Sequence, residues 1–259
     1  MLTNYHTHTY RCHHAIGTER EYVRKAIENG FTTLGFSDHA PYLFDGDYYS
    51  HFRMKPYEFP EYMQCIRNLS KTHCGEITLL AGVEMEYYPK FFHRTVRFLA
   101  DHDVDYLVLA QHFVGNEDQS AWQSSSADVF DRYVSQTIEA METGMYSYFA
   151  HPDYSQIVDN LKRQEKGFLK ICETAKRLDI PLEINLLGMH EGRHYPSESF
   201  FKIAASVGNE IVLGCDAHHP NRLGDPSEIY EAMVFARSCG VNPVSLTAQR
   251  MLARKNAIG

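Results

Sequence analysis

The chain has 259 residues and a mass of 29.8 kDa. That is enough for two small domains, but one barrel of alternating strands and helices, which typically needs about 250 residues, is the better expectation. With 44% hydrophobic and 22% charged residues the composition is that of a globular protein, and no apolar run approaches the roughly 20 residues of a membrane helix. A net charge of −8 without a Lys/Arg stripe disfavours an extended nucleic-acid groove, whose affinity depends on phosphate neutralisation, and leaves nucleic acid open as a small substrate.

In chain order, short apolar runs alternate with amphipathic stretches. Strands are expected at residues 2–5, 32–37, 77–85, 106–111, 146–150, 182–186, 211–214 and, more weakly, 243–246. Helices are expected at 18–29, 61–71, 91–101, 127–143, 167–178, 197–206 and 227–238. The first helix has the clearest boundaries: Thr18 and Glu21 form a capping box, and Gly30 supplies a left-handed stop. Such alternation implies a parallel sheet, either closed into a barrel or open with helices on both faces. No repeat or linker divides the chain. The aromatic-rich segment 42–62 reads as a lid or as a packing loop.

Six cysteines (Cys12, Cys65, Cys74, Cys172, Cys215 and Cys239) include no C-x-x-C pair and read as reduced thiols of a cytoplasmic protein. The N-terminal residues lack the basic, apolar and cleavage regions of a secretory signal, so a cytoplasmic location is expected.

Fifteen histidines are the unusual number, and many follow the expected strands. His6 and His8 follow the first strand, and Asp38–His39 the second. Glu84 is late in the third, and His112 and His151 end the fourth and fifth. Asn185 is late in the sixth, and Asp216 and His218 follow the seventh. In a closed barrel all these ends open onto one face, where such folds carry their chemistry. His6 and His8, two apart in an extended segment, point the same way and can meet one ion.

Nine side chains are therefore candidate metal ligands: His6, His8, His14, His39, Glu84, His112, His151, Asp216 and His218. With bridging carboxylates they suffice for two or three ions, and the mixed nitrogen/oxygen set suits zinc, iron or manganese. Cys12 and Cys215 lie near the same site; small buried residues is the commoner role for such thiols. Glu86, two beyond Glu84, can face the site and lend an oxygen without binding metal directly.

The motifs YHTHTYRCHH (5–14), FSDHAP (36–41), GVEMEYYP (82–89), AQHF (110–113), AHPD (150–153) and GCDAHHP (214–220) resemble those of the PHP (polymerase and histidinol phosphatase) superfamily, in its histidinol-phosphatase branch. The resemblance runs through nearly the whole chain. It implies a distorted (β/α)7 barrel forming a single domain over residues 1–259, with a trinuclear metal centre. The implied activity is hydrolysis of L-histidinol phosphate to L-histidinol and phosphate, in histidine biosynthesis, by in-line attack of a metal-bound hydroxide. His6, His8, Glu84 and Asp216 would hold one ion, Glu84, His112 and His151 a second, and His14, His39 and His218 a third. The loop spacing in the family selects His14 over His13.

Beyond the ligands, the implied catalytic set is Glu84, Asp216, Arg193 and Asp38. Arg193, in the looser stretch 183–200, is the candidate phosphate-binding residue, because a guanidinium fork matches phosphate oxygens. Its other reading is a solvent-facing loop residue. Asp38 either supports His39 or caps the turn after the second strand. Gln111 departs from the family pattern, which more often has a small or apolar residue before the histidine. The expected partner is a small phosphate ester, with neither membrane nor extended nucleic acid. The same metals would also serve another phosphatase or a nuclease of short nucleotides, and a non-catalytic metal-binding protein is the third alternative.

Overall fold

The computed structural model describes residues 3–122 and 126–259. Seven parallel strands form one sheet: β1 (Thr3–Asn4), β2 (Thr33–Phe36), β3 (Thr78–Met85), β4 (Tyr106–Leu109), β5 (Tyr146–Phe149), β6 (Leu182–Asn185) and β7 (Ile211–Gly214). Each pairs with its successor. β2, β4, β5 and β6 are buried at every position, as strands covered on both faces must be.

The sheet closes at its carboxyl end. Thr7, just after β1, bridges Ala217, just after β7, and His8 N donates to the Ala217 carbonyl at 3.0 Å. This is the expected seven-stranded (β/α) barrel, and its distortion is local. The register slips between Leu107 and Val108, and β5 and β6 share one register pair, Phe149 with Leu182.

The helices on the outside are α1 (Glu19–Glu28), α2 (Phe59–Thr72), α3 (Phe92–Asp101), α4 (Ala127–Glu142), α5 (Leu161–Arg177), the short α6 (Leu186–His190), α7 (Glu198–Val207) and α8 (Pro226–Cys239). Two further short helices, α9 (Ala248–Leu252) and α10 (Lys255–Ile258), end the chain. α1 starts on the expected capping box: Thr18 accepts from Glu21 N, and the Glu21 carboxylate accepts from Thr18 N. None of the helices among the described residues is long and apolar enough to cross a membrane.

Four expectations need correction or comment. α5 begins at Leu161, six residues before the expected start, because the Asn160 side chain caps it by accepting from Arg163 N. Residues 243–246 form no strand; Val244 makes an isolated bridge to Val212. Leu2, expected in the first strand, lies outside the described residues. Segment 42–62 packs as a wall, with Tyr42, Arg53, Met54, Phe59 and Tyr62 fully buried.

The barrel interior holds Tyr5, Leu80, Tyr106, Val108, Tyr148 and Val212, closed from below by Leu246 and Met251. Tyr106 dominates this layer. Its hydroxyl lies 2.9 Å from the carbonyls of both Tyr5 and Phe36 and shares its single proton between them, tying β4 to the chain just beyond β1 and to β2. The ring fits because Gly82 on β3 has no side chain: a Cβ there would lie 2.5 Å from two ring carbons. Gly82→Ala should therefore lower stability by about 1–3 kcal/mol, the usual range for overpacking. The check is the midpoint of urea unfolding, and an unchanged midpoint would show that the interior has room to spare.

Candidate metal centre

Glu84 is at the end of a strand buried along its length from Leu79 and is 1% exposed. Five imidazoles approach its carboxylate. Oε1 lies 3.0 Å from His151 Nε2, 3.3 Å from His6 Nε2 and 3.6 Å from His112 Nε2. Oε2 lies 2.9 Å from His39 Nδ1 and 3.4 Å from His8 Nε2. Asp216 Oδ1 faces the same space, 3.4 Å from His6 Nε2 and 3.2 Å from His8 Nε2. All nine candidate ligands are thus together, with His14 at the exposed rim and His218 between it and His8.

All but His14 are delivered by strand ends; His14 lies farther along the first loop, after a 3-10 turn at Tyr10–Cys12. His6 and His8 straddle the barrel-closing residue Thr7, so their i, i+2 spacing sends both rings inward. His39 pairs through its backbone with Glu84. His151 and Asp216, each just past its strand, have φ of +32° and +46°, in the left-handed region that non-glycine residues seldom occupy. Such backbone persists where its surroundings over-determine it, and it clusters at functional sites.

The hydrogen bonds behind the rings fix which nitrogen faces the centre. His14 Nδ1 lies 2.7 Å from the Cys12 carbonyl, and His218 Nδ1 lies 2.9 Å from the Asp216 carbonyl. A carbonyl only accepts, so both Nδ1 atoms carry the proton. The two Nε2 atoms then face each other 3.1 Å apart. Two neutral rings in this arrangement oppose lone pairs, which a cation between them would relieve. His6 and His112 are oriented in the same way by carboxylates, His6 Nδ1 by Glu183 at 2.8 Å and His112 Nδ1 by Glu86 at 2.9 Å.

Buried atoms without a hydrogen-bond partner include His6 Nε2, His8 Nδ1 and Nε2, His39 Nδ1, Glu84 Oε2, His151 Nδ1 and Asp216 Oδ1. Buried polar groups are normally satisfied, and leaving one unmet costs about 1–3 kcal/mol. Of these, His6 Nε2, His8 Nε2, His39 Nδ1, Glu84 Oε2 and Asp216 Oδ1 converge on one space, and nitrogen and oxygen lone pairs so arranged fit divalent or trivalent cations. Triads such as His6–His8–Glu84, His6–His151–Asp216 and His8–His39–His218 place their ligand atoms within 4.8 Å of one another.

The electrostatics suit the same purpose. Burial raises the Glu84 carboxyl pKa, but His39, His112 and His6 outweigh it and hold the group well below the usual carboxylate range. Burial likewise opposes ionisation of Asp216, and His6, His8 and His218 reverse the effect. Burial lowers His8 well below its ordinary value, with His218 adding to the effect. Burial, His39 and His218 push His14 down to about 4. Burial lowers His6 and His112 too, but Asp216, Glu183 and Glu84 around His6, and Glu84 and Glu86 around His112, outweigh it and raise both rings above the ordinary imidazole value. Metal binding therefore displaces protons from His6 and His112, whereas His8 and His14 already have the neutral form that ligates.

A cavity of about 340 Å³ opens above the cluster, walled by Phe52, Phe113, Tyr154, Leu187, Glu191 and Tyr195. Arg193 lines it, half-buried, with Nε 2.7 Å from Glu191 Oε2 and a guanidinium nitrogen donating to the Tyr195 hydroxyl. Asp38 is placed differently from expectation. It supports neither His39 nor a helix; its carboxylate accepts from Thr9 N at 2.8 Å and Thr9 Oγ1 at 2.9 Å, bracing the turn after His8. Burial raises it to about 8 despite those bonds. Gln111 ties loops together, accepting from Tyr87 N and donating to the Phe113 carbonyl. Cys12 and Cys215 are buried, and burial raises both thiols, Cys215 to about 12, which disfavours the thiolate a metal requires.

Two buried residues behind the centre were not singled out from sequence. Glu183 takes the His6 ring and His151 N. Arg53 bonds Glu86 at 3.3 Å and Glu117 at 2.7 Å. Glu183 precedes Asn185 by two on β6, so the period of two that placed His8 with His6 could have found it. Arg53 lies in an irregular segment, where no periodicity marks an inward side chain.

A model of the PHP domain matches residues 4–186. The "Probable histidinol-phosphatase" of Deinococcus radiodurans is 26% identical, over 96% of this chain and 98% of that protein. The "Histidinol-phosphatase" of Bacillus subtilis is 23% identical, over 88% and 97%. Among solved structures, histidinol phosphate phosphatase from Lactococcus lactis subsp. lactis, complexed with zinc, L-histidinol and phosphate, has a TM-score of 0.74 at 20% identity. The alignment covers 95% of this chain and 97% of that one, a likeness of fold. The family match takes in His6, His8, His14, His39, Glu84, His112 and His151, seven of the nine clustered side chains, and the chain belongs to the PHP domain family.

Proposed function

We propose that this chain is a metal-dependent histidinol-phosphatase, cleaving L-histidinol phosphate to L-histidinol and phosphate, and that residues 1–259 act as one metallophosphoesterase domain. The observation that carries the reading is the set of buried, partnerless nitrogen and oxygen atoms converging beneath a small cavity. Three relatives aligned over most of both chains carry the histidinol-phosphatase name, which supports this substrate over other small phosphate esters.

Three ions are proposed. His6, His8, Glu84 and Asp216 would hold one, Glu84, His112 and His151 a second, and His14, His39 and His218 a third. When bound, such ions lower the pKa of water and neutralise charge on a phosphoryl group. The rest falls to the chain's own side chains. Glu84 presents one oxygen to His6, His112 and His151 and the other to His8 and His39, the disposition of a bridging carboxylate. Arg193, held by Glu191 and the Tyr195 hydroxyl, offers its guanidinium to phosphate oxygens from the cavity wall. Phe52, Phe113 and Tyr154 exclude water and give a planar leaving group apolar faces to lie against. Asp38, bonded to Thr9, serves by fixing the loop that carries His8, not by contact with substrate.

Three experiments test this reading. A chelator should abolish hydrolysis of histidinol phosphate and added Zn²⁺ or Mn²⁺ should restore it, with nucleotides and sugar phosphates turned over more slowly; full activity in demetallated protein would end the proposal, and faster turnover of a nucleotide would change the substrate. Glu84→Gln should reduce bound metal by more than one ion per chain and drop kcat at least a hundredfold; metal analysis and steady-state kinetics read both, and normal values would remove Glu84 from the centre. Arg193→Ala should raise KM and lower kcat/KM about 10–100-fold, corresponding to the ~1.5–3 kcal/mol of a hydrogen bond to a charged group. Unchanged constants would place Arg193 outside the substrate site.

A further inference from the structure

Two carboxylates stand behind the metal-facing rings, and they differ in how they are compensated. Glu86 orients His112, but its other oxygen lies 3.3 Å from Arg53, a fully buried guanidinium. Glu183 is fully buried too, yet among the described residues no Lys or Arg pairs with it. Its Oε1 is 2.8 Å from His6 Nδ1. Its Oε2 accepts from His151 N at 3.1 Å and from Asn185 Nδ2 at 2.9 Å.

Those contacts cross the weakest parts of the barrel. β5 and β6 share one register pair, and β1 meets β7 through the single bridge at Thr7 and Ala217. From β6, Glu183 reaches back to His151 beyond β5 and forward over β7 to His6 beyond β1. Gly214 on β7 makes the passage possible, since a Cβ there would overlap the Glu183 carboxylate. Asn185 extends the link, donating also to Asp216 Oδ2 at 3.1 Å.

We infer that Glu183 is a positioning residue of the metal centre: one buried carboxylate holds His6, His151 and, through Asn185, Asp216 in register across both seams, and its uncancelled charge strengthens the hold on the ion that His6 faces. The inference rests on the metal-dependent reading proposed above. The donor pattern makes the role specific. Each oxygen of Glu183 must accept, whereas a glutamine keeps one acceptor and turns an NH₂ toward groups that are themselves donors. Removing the carboxylate behind a ligating histidine typically costs 10–100-fold in metal affinity.

The test compares the full-length parent with Glu183→Gln and Gly214→Ala, each demetallated and then titrated with Zn²⁺ against a chromophoric chelator. Metal per chain is measured after gel filtration, and folding is followed by circular dichroism. Gly214→Ala leaves the charge in place and displaces the carboxylate, so it also carries the test if Glu183→Gln does not fold. Both variants should keep the parent's spectrum and bind about one equivalent of zinc 10–100-fold more weakly. Folded variants that take up as much zinc, as tightly, as the parent would overturn the role of Glu183. A parent that binds no zinc would instead overturn the proposed function, so the two failures are distinct.

Discussion

Five imidazoles lie within 3.6 Å of one buried carboxylate, and the rest of the molecule is organised around holding them there. Glu84, His6 and His8 are at most 1% exposed, so bulk solvent scarcely reaches their facing atoms. Packed alone, the cluster opposes lone pairs, as the His14 and His218 rings show with Nε2 atoms 3.1 Å apart. The interior beneath is largely apolar, and there the Tyr5 hydroxyl donates to the Leu246 carbonyl while that of Tyr106 reaches the carbonyls of Tyr5 and Phe36. Among the described residues, seven of the fourteen buried side-chain atoms without a partner belong to this one cluster, a concentration expected when a site is shaped for something other than stability.

The orientation of the rings is decided outside the cluster. A histidine offers two nitrogens, and which of them is free depends on what the other meets. Here backbone carbonyls hold Nδ1 of His14 and His218, and carboxylates hold Nδ1 of His6 and His112. Four rings from three loops therefore present Nε2 to the same space. The turn after His8 is fixed by Asp38 through Thr9. The left-handed backbone at His151 and Asp216 turns each chain sharply as it leaves its strand. The rigidity that metal chemistry needs thus comes from hydrogen bonds to the loops as much as from the strands.

This division explains what could be read from the sequence. His6, His8, Glu84, His112, His151 and Asp216 announce themselves because a strand end is legible from apolar runs and a titratable residue there has few structural uses. α1 is legible because its capping box is local. Asp38 was misread because its partner, Thr9, is 29 residues away, and adjacency to His39 suggested a role that the backbone direction denies. Arg53 was missed because its burial depends on Glu86 and Glu117, 33 and 64 residues on. The start of α5 was missed because Leu161 to Lys166 is a mostly polar first turn and a half, with no apolar stripe to betray it. Local chemistry was visible, and pairings made only by the closed barrel were not.

The metals and the substrate make separate demands on the cavity. A centre of imidazoles and carboxylates treats any small phosphate ester alike, so selectivity must arise in the walls above it. Those walls are largely apolar, from Phe52, Phe113, Tyr154 and Leu187, with the Glu191–Arg193 pair as the charged exception. Phe52 and Phe113 stack at 5.6 Å with a 13° interplanar angle, and Phe52 also stands edge-on to His39 and beneath the buried Arg53. The aromatic wall is therefore anchored to a ring of the cluster and to the guanidinium that compensates Glu86. At about 340 Å³ the cavity is near the lower end of the range for small-molecule sites, and the chain's −8 charge offers no track for a polyanion. On the proposed reading, a compact phosphate ester with one flat, apolar-faced end would satisfy both parts at once: its phosphoryl group would meet the cluster and Arg193, and its ring the phenylalanines.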